Sequence, residues 1–304
     1  MKIAAITVTY NDDYKIKPWA EYFNEYKDEI YLNIIVDNGS RSEYIQTVER
    51  LFPESIIIKR TSNDGTTAAY NDGIRHALEN SEIDSIMLIG NDIRFPSGNL
   101  SILHEILFSK EVYGIITPIL LKKDSDIIDD YGSKITKMLY MEPEHTGETL
   151  NDSLPITKEV QSVTGGMNLA KREYYEVVGL QDEQLFMYSD EVDMGLRMAQ
   201  TKFKAVITRK AIAWHQHISP NNSKSRQGYA EFFMRRNKIY LAYKHFGFQR
   251  AFYIFFVQMV RAPWMTLSFI KRKVCKNIIY YLLGCICGIL RIEKNFEFIV
   301  GNKI

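Results

Sequence analysis

Two short stretches of this 304-residue sequence contain carboxylates at positions suited to chemistry. Asn91 and Asp92 come directly after the apolar run DSIMLIG, where they could either begin a turn or offer oxygen ligands to a divalent cation. In the stretch SDEVDMGLR, Asp190, Glu191 and Asp193 could either favour the start of a helix or accept a proton from a reacting group. Both stretches leave a structural and a chemical interpretation open.

A third stretch, AWHQHIS, places His215 and His217 after the strand-like run KAVITRKAIAW. Each imidazole is either an ordinary polar side chain in a loop or a metal ligand, a common role for histidine. An imidazole ligand suits Mn²⁺ better than Mg²⁺.

The elements that must position these residues follow from the hydrophobic pattern. Short apolar runs alternate with helical spacing, beginning with the strand KIAAITVTY and the helix IKPWAEYFNEYKD. The alternation continues through the strands IYLNIIVDNGS, SIIIKR, DSIMLIG and VYGIITPILL and the helices SEYIQTVERLF, TTAAYNDGIRHALEN and NLSILHEILFSK. This pattern predicts an α/β fold with a mostly parallel sheet and helices on both faces.

Polar residues or glycines follow each of the first four predicted strands. They are Thr9, Tyr10, Asn11 and Asp12; Asp37, Asn38, Gly39 and Ser40; Ser62, Asn63, Asp64 and Gly65; and Asn91 and Asp92. Any one group could be a turn or a helix cap. Four in succession at the ligand-binding edge predict a site for a small polar ligand. The Gly-rich dinucleotide fingerprint and the Walker-type loop are missing, which argues against a nicotinamide enzyme or a P-loop nucleotide hydrolase.

Charge is distributed unevenly along the chain. Residues 1–228 contain 25 Lys+Arg against 34 Asp+Glu, whereas residues 229–292 contain 11 Lys+Arg and one acid. We therefore predict a domain over 1–228 and a helical region over 229–304. The apolar runs YIFFVQMV and NIIYYLLGCICGIL are each shorter than the roughly 20 residues of a membrane-spanning helix. We expect the basic region to lie on an anionic membrane surface or to contact another subunit; a buried helical subdomain is the alternative.

Other features bear on the compartment. The N-terminal apolar run is too short for a signal-peptide core, and the three cysteines near the C-terminus fit a reducing environment. The expected location is cytoplasmic, at the inner face of the cell membrane. No nucleic-acid partner is expected, and a homo-oligomer is left open.

Eight short motifs occur in an order and spacing that are specific in combination. They are TVTYN (Thr7–Asn11), VDNGS (Val36–Ser40), NDGTTAAYNDGI (Asn63–Ile74), IGNDI (Ile89–Ile93), TGGMNLAKR (Thr164–Arg172), LFMYSDEVDMGLR (Leu185–Arg197), AWHQHIS (Ala213–Ser219) and RRNKIY (Arg235–Tyr240). Over roughly residues 1–245 the chain resembles the inverting nucleotide-sugar glycosyltransferases of family 2, which have the GT-A fold. It is similar to bacterial rhamnosyl- and galactofuranosyl-transferase-like enzymes of surface polysaccharide synthesis.

The resemblance implies a role for each motif in binding the donor. The implied nucleotide-sugar contacts are Thr9, Tyr10 and Asn11 at the nucleobase, Asp37 and Asn38 at the base or ribose, Asn63, Gly65 and Asn71 around base and sugar, and Gly165 and Gly166 between donor and acceptor. Gly65 would allow the backbone to approach the ligand closely.

The resemblance also implies a metal and a base. Asp92 is the last position of the family's Asp-any-Asp motif, whose first position is Gly90 here, and His215 is the implied C-terminal ligand. A Mn²⁺ or Mg²⁺ ion bound there would stabilise the leaving diphosphate. Glu191 falls at the position of the general base and Asp190 supports it, although the family's Glu-Asp order is inverted.

The implied function is inverting transfer of a sugar from a UDP- or dTDP-sugar to a hydroxyl of a saccharide acceptor, with a polyprenyl-linked acceptor expected. A sugar nucleotidyltransferase would need a Gly-rich phosphate loop soon after the first strand, and TVTYNDDY has none. A catalytically weak or inactive nucleotide-sugar-binding partner is the other alternative, favoured by Gly90 and by the inverted acid pair.

Overall fold

The computed structural model of the chain describes residues 1–217 and 224–292. The strands within these residues are β1 (Ile3–Thr9), β2 (Leu32–Asp37), β3 (Ile56–Lys59), β4 (Ser85–Ile89), β5 (Ile93–Arg94), β6 (Tyr113–Lys122), β7 (Ile128–Asp130), β8 (Ser133–Ile135), β9 (Met141–Pro143), β10 (Thr157–Val160), β11 (Met167–Lys171) and β12 (Lys204–His215). The α-helices are α1 (Asp13–Tyr26), α2 (Ser42–Leu51), α3 (Thr66–Glu79), α4 (Asn99–Phe108), α5 (Arg172–Val178), α6 (Asp190–Met198), α7 (Lys224–Phe246), α8 (Phe248–Lys271) and α9 (Asn277–Ile289). Two short 3₁₀ helices span Lys27–Glu29 and Glu183–Leu185.

The chain divides into two compact units. Unit 1 consists of Met1–Ile135, Met141–Gln181 and residues 191–217. Unit 2 consists of Thr136–Tyr140, Asp182–Asp190 and residues 224–292.

The main sheet of unit 1 has the strand order β10-β12-β6-β11-β4-β1-β2-β3, with β5 paired to β12 and β7 to β6. Strands β3, β2, β1 and β4 are parallel, as the alternation of strands and helices predicts. Strand β11 lies antiparallel between β4 and β6, so the second half of the sheet is mixed. A separate hairpin is formed by β8 and β9.

Both faces of the sheet are covered, which explains why its strands are almost continuously apolar. Along β1, Ala4 and Ile6 belong to a core that also includes Ala69 and Ile74 of α3. The alternate residues Ile3 and Ala5 belong to a second core with Leu100, Leu103 and Leu107 of α4. The predicted α/β architecture with helices on both faces is confirmed.

Unit 2 is built on α7, α8 and α9, which confirms the predicted C-terminal helical region. Helix α9 lies very close to α7 along a face that contains two glycines. A Cβ atom at Gly288 would be 2.9 Å from the carbonyl oxygen of Arg236, and a Cβ atom at Gly284 would overlap the carbonyl oxygen of Phe232. By length and composition α8, with 24 residues, could cross a membrane. An 18-residue window of this helix has a mean hydropathy of 1.2, and 22% of the window is buried. The predicted apolar run YIFFVQMV is thus the centre of a longer helix.

One side chain of α7 organises the loop that precedes α6. Asn237 Nδ2 bonds to the backbone carbonyl oxygens of Leu185, Met187 and Tyr188 at 3.0, 2.9 and 2.9 Å. Phe186, Tyr188 and Ser189 have left-handed backbone angles, with φ of 63°, 65° and 66°. Such angles cost roughly 1 kcal/mol or more per non-glycine residue, so the amide stabilises a loop that would otherwise relax.

Candidate active site

The ends of β1 and β2 place two of the predicted donor-binding residues side by side. Thr9 and Asp37 are partners in the parallel register, and both are buried. The hydroxyl of Thr9 hydrogen-bonds with that of Tyr44. The two carboxylate oxygens of Asp37 accept from the Ser40 amide at 3.0 and 3.3 Å, which fixes the carboxylate without a ligand.

Asn38, Asn63 and Gly65 form a second polar group at this edge. Asn38 Nδ2 donates to Asn63 Oδ1 at 2.9 Å and to the Gly65 carbonyl at 3.2 Å. The Gly65 amide donates to Asn63 Oδ1 at 3.1 Å, and Gly65 has a φ of 97° that favours glycine. Asn38 Oδ1 is buried and has no hydrogen-bond partner within the described residues, so a ligand that donates a hydrogen bond would satisfy it.

Two other residues predicted to contact the donor sugar nucleotide, Asn11 and Asn71, have side chains that bond to the backbone. Asn11 has a left-handed φ of 47°. Its Oδ1 accepts from the backbone amide of Arg41 at 3.1 Å, and its own backbone amide donates to Ser40 Oγ at 3.0 Å. Tyr10, just before it, is partly exposed. Asn71 is buried in α3. Its side-chain Nδ2 donates to the Gln181 carbonyl at 2.9 Å, and its Oδ1 accepts from the Gln181 amide at 2.9 Å. The structure therefore gives Asn71 a backbone-tying role that spacing did not indicate.

Asp92 lies between a lysine and a histidine. Lys15 Nζ is 3.0 Å from Asp92 Oδ2 and 3.1 Å from Asn91 Oδ1. On the other side, His215 Nε2 is 3.7 Å from Asp92 Oδ1. The two residues that were predicted as metal ligands are thus brought together by the turn after β4 and the end of β12.

Asp129 is a functional candidate that sequence reasoning missed. Its Oδ2 lies 3.1 Å from His215 Nδ1 and 3.0 Å from His217 Nε2. Burial alone would raise the pKa of Asp129, but the hydrogen bonds and charges of His215 and His217 outweigh it and hold the pKa below its ordinary value. Asp129 is 86 residues from His215 and reaches it only because β7 pairs with β6, so no spacing rule pointed to it.

The donor set fits a divalent cation in two ways. Ligand atoms each about 2.1 Å from one ion can be up to about 4.2 Å apart, so the 3.7 Å between Asp92 Oδ1 and His215 Nε2 can be bridged. In that arrangement Asp129 orients the imidazole from its other nitrogen. Alternatively, Asp129, His215 and His217 offer ligand atoms that all lie within 4.8 Å of one another. Carboxylate oxygens with imidazole nitrogens suit Mn²⁺.

The predicted base is linked to this cluster through the two glycines of TGGMN. The Gly90 amide, just before Asn91, donates to the Gly166 carbonyl at 2.9 Å. A Cβ on Gly165 would overlap the carboxylate of Glu191, so the missing side chain makes room for that acid. Ser162 Oγ donates to the Glu191 carbonyl at 2.6 Å and fixes the first turn of α6.

The other acids of the SDEVDMGLR stretch differ from Glu191. Asp190 is the first residue of α6 and the last of its segment in unit 2. Asp193 is fully buried and pairs with Arg197 at 2.9 Å, which gives it the structural role considered for this stretch.

Comparison with known proteins gives a family match and two kinds of relatives. The model for Glycosyl transferase family 2 matches residues 5–179, more than half of the chain. The low-salt glycan biosynthesis hexosyltransferase Agl10 of Haloferax volcanii is 23% identical over 167 residues, which are 54% of this chain and 52% of that protein. The chain therefore spans about half the length of that curated relative.

Solved structures with the same fold include GalNAc-T7 with UDP, GalNAc and Mn²⁺, with a TM-score of 0.58 and 10% identity over 78% of this chain and 49% of that one. They also include the mannosyltransferase PcManGT of Pyrobaculum calidifontis in complex with GDP-Man and Mn²⁺, with a TM-score of 0.58 and 12% identity over 96% of this chain and 88% of that one. At such identities the likeness concerns the fold, and it confirms the predicted GT-A architecture.

Proposed function

The chain belongs to glycosyl transferase family 2, and from this membership we propose that it transfers a sugar from a nucleoside diphosphate-sugar to a saccharide hydroxyl with inversion. The observation that supports this best is the connected path from Asp92 through Gly90 and Gly166 to Gly165 and Glu191. It joins a candidate cation site to a candidate base.

Binding of the donor is assigned to the edge formed by β1, β2 and α3. The fixed carboxylate of Asp37 can accept hydrogen bonds from a base or ribose, and Asn38 Oδ1 lacks a donor within the described residues. Thr9 and Gly65 complete the edge. Both UDP- and dTDP-sugars remain candidate donors, and GDP-sugars join them because PcManGT was solved with GDP-Man.

The leaving group is assigned to the Asp92 and His215 side of the site. A Mn²⁺ or Mg²⁺ ion held there would neutralise the negative charge that develops on the leaving diphosphate. Asp92 offers one carboxylate oxygen to it, and His215 offers Nε2 while Asp129 holds Nδ1. Gly90 offers no side-chain ligand.

The proton of the attacking hydroxyl is assigned to Glu191. Inversion requires the base to lie on the face of the sugar opposite the leaving group, within about 3 Å of the hydroxyl. The room left by Gly165 keeps the carboxylate at the TGGMN segment, the segment that the family resemblance implies lies between donor and acceptor. Asp190 is proposed to support the acceptor.

The acceptor is proposed to be a polyprenyl-linked saccharide of a cell-surface polysaccharide, reached at the inner face of the membrane. One face of α8 consists of large apolar side chains that are at least half exposed: Phe248, Phe252, Phe256, Val260, Trp264 and Leu267. Their spacing of mostly four residues keeps them on one side of the helix. The exposed cations Lys271, Arg272, Lys273 and Lys276 follow at its end. Apolar surface beside cationic groups fits an anionic bilayer surface.

The test is a screen of UDP-, dTDP- and GDP-sugars with Mn²⁺ and a lipid extract, with products identified by mass spectrometry. Glu191→Gln should lower turnover by about 100-fold or more while donor binding stays unchanged. Glu105→Gln, at an exposed acid of α4, is the control and should retain full activity. Donor binding by the wild-type chain without turnover would favour the inactive-partner alternative instead, and normal transfer by Glu191→Gln would remove that residue from the base role.

A further inference from the structure

Lys15 is a buried ammonium group inside the candidate active site. It lies in the first turn of α1, and only 8% of the residue is exposed. Nζ has two oxygen partners within the described residues, Asp92 Oδ2 at 3.0 Å and Asn91 Oδ1 at 3.1 Å. Because an ammonium has three N–H groups, one remains for a ligand.

The network around Lys15 fixes its place beside the cation site. Asn91 Nδ2 donates to Asp12 Oδ2 at 2.9 Å, so the amide oxygen of Asn91 is turned toward Lys15. Asp92 uses one oxygen for Lys15 and presents the other to His215. A cation that binds Oδ1 therefore does not require Lys15 to leave, but the two positive charges share one carboxylate.

Position 90 affects the charge of the site, because glycine stands there where the family's Asp-any-Asp motif has its first aspartate. A Cβ there would be 3.3 Å from Asp92 Oδ1, so a carboxylate at this position would extend toward the same cation. With Gly90 there is no side-chain carboxylate at this position, and Lys15 places a positive charge beside Asp92. Both features make the electrostatic potential at the site more positive, which disfavours a divalent cation and favours an anionic diphosphate.

We propose that Lys15 binds the diphosphate of the donor and competes electrostatically with the cation at Asp92. The positive charge that stabilises the leaving group is then divided between an exchangeable cation and a fixed lysine. The biological meaning rests on the proposed glycosyl transfer, but the ligand, a nucleoside diphosphate, can be tested without turnover.

The competition predicts opposite changes in two binding measurements on the full chain. Lys15→Met should bind Mn²⁺ alone about tenfold more tightly, because a like charge close to the ion is gone. The same variant should lose about tenfold of the preference for a nucleoside diphosphate over its monophosphate, because a charge-assisted contact is lost. Lys15→Gln is the second variant, for use where Lys15→Met folds poorly. It keeps a hydrogen-bond donor for Asn91 but removes the charge, and we expect both changes in it as well. Lys17→Met, on the exposed face of α1, is the matched control and should match the wild type.

Mn²⁺ binding would be followed by electron paramagnetic resonance, and UDP, GDP and dTDP would be compared with their monophosphates by calorimetry. Tighter Mn²⁺ binding together with a smaller diphosphate preference supports the proposal. Unchanged or weaker Mn²⁺ binding in the uncharged variants overturns it, and so does an unchanged diphosphate preference. A wild-type chain that binds these ligands as expected but transfers no sugar would refute the proposed function alone.

Discussion

Replacement of Asp129 by asparagine tests how the cation site is built. The wild-type carboxylate accepts from His215 Nδ1 at 3.1 Å, which leaves Nε2 facing Asp92 across 3.7 Å. The amide of Asp129→Asn is neutral and can present either an oxygen or an NH₂ group to the imidazole, so the ring loses both its fixed orientation and a polarising charge. Loss of such a partner lowers metal affinity by about 10–100-fold, or about 1.4–2.7 kcal/mol.

The measurement is a Mn²⁺ titration of the nucleotide-free chain by electron paramagnetic resonance, with thermal unfolding as a check of folding. Asp92→Asn should lose more affinity than Asp129→Asn, and Asp126→Asn, at an exposed acid near β7, should match the wild type. An Asp129→Asn affinity within about twofold of the wild type would refute the orienting role, since that change is below the expected range. A larger loss in Asp129→Asn than in Asp92→Asn would instead place the ion among Asp129, His215 and His217.

Three further predictions concern other parts of the chain. Burial, with the like charge of Arg261, lowers the pKa of Lys238 to about 7; the unfolded chain then binds more protons between about pH 7 and pH 10.5, so the unfolding free energy rises with pH across that window. Lys238→Met should remove this rise and stabilise the protein at pH 7 by up to about 4 kcal/mol. The unfolding free energy would be measured by urea unfolding at pH 7 and pH 9. The same change in unfolding free energy between the two pH values in wild type and variant would contradict the argument. Gly165→Ala should displace the Glu191 carboxylate and lower turnover by about 100-fold with an unchanged melting temperature, and full activity would show that the two groups do not need this closeness. Phe256→Ser combined with Trp264→Ser should release the protein from phosphatidylglycerol vesicles in a sedimentation assay, whereas Ile156→Ser, at an exposed apolar residue of unit 1, should not. Unchanged vesicle binding would contradict the membrane assignment. A wild-type dimer that becomes monomeric in the double variant would contradict it as well.

Much of unit 1 could be predicted from sequence because its signals are local. The strands β1 to β4 are apolar runs that end in polar residues, and the parallel register then brings Thr9 and Asp37 together. The position of β11 could not be foreseen in this way. Its short run MNLAK is inserted antiparallel between strands that precede it by dozens of residues, a choice set by tertiary pairing.

The candidate site shows the same division. Asp92, His215 and Glu191 could be proposed from sequence because each belongs to a motif that resembles a known one. Asp129 and Lys15 were not, since their significance lies in contacts across the fold with His215 and Asp92. A buried lysine and an aspartate in a hairpin strand have no sequence signature that distinguishes them from ordinary charged residues.

The amide of Asn237 has a consequence for the time at which this enzyme can become active during its synthesis. The loop that leads directly into Glu191 is built from Leu185 to Ser189, but its anchor is made about 50 residues later. A nascent chain that has emerged only as far as residue 228 already contains every candidate ligand and the base, yet lacks that anchor. Fragments that end before Asn237 should therefore be inactive, and activity should appear only in fragments that contain α7.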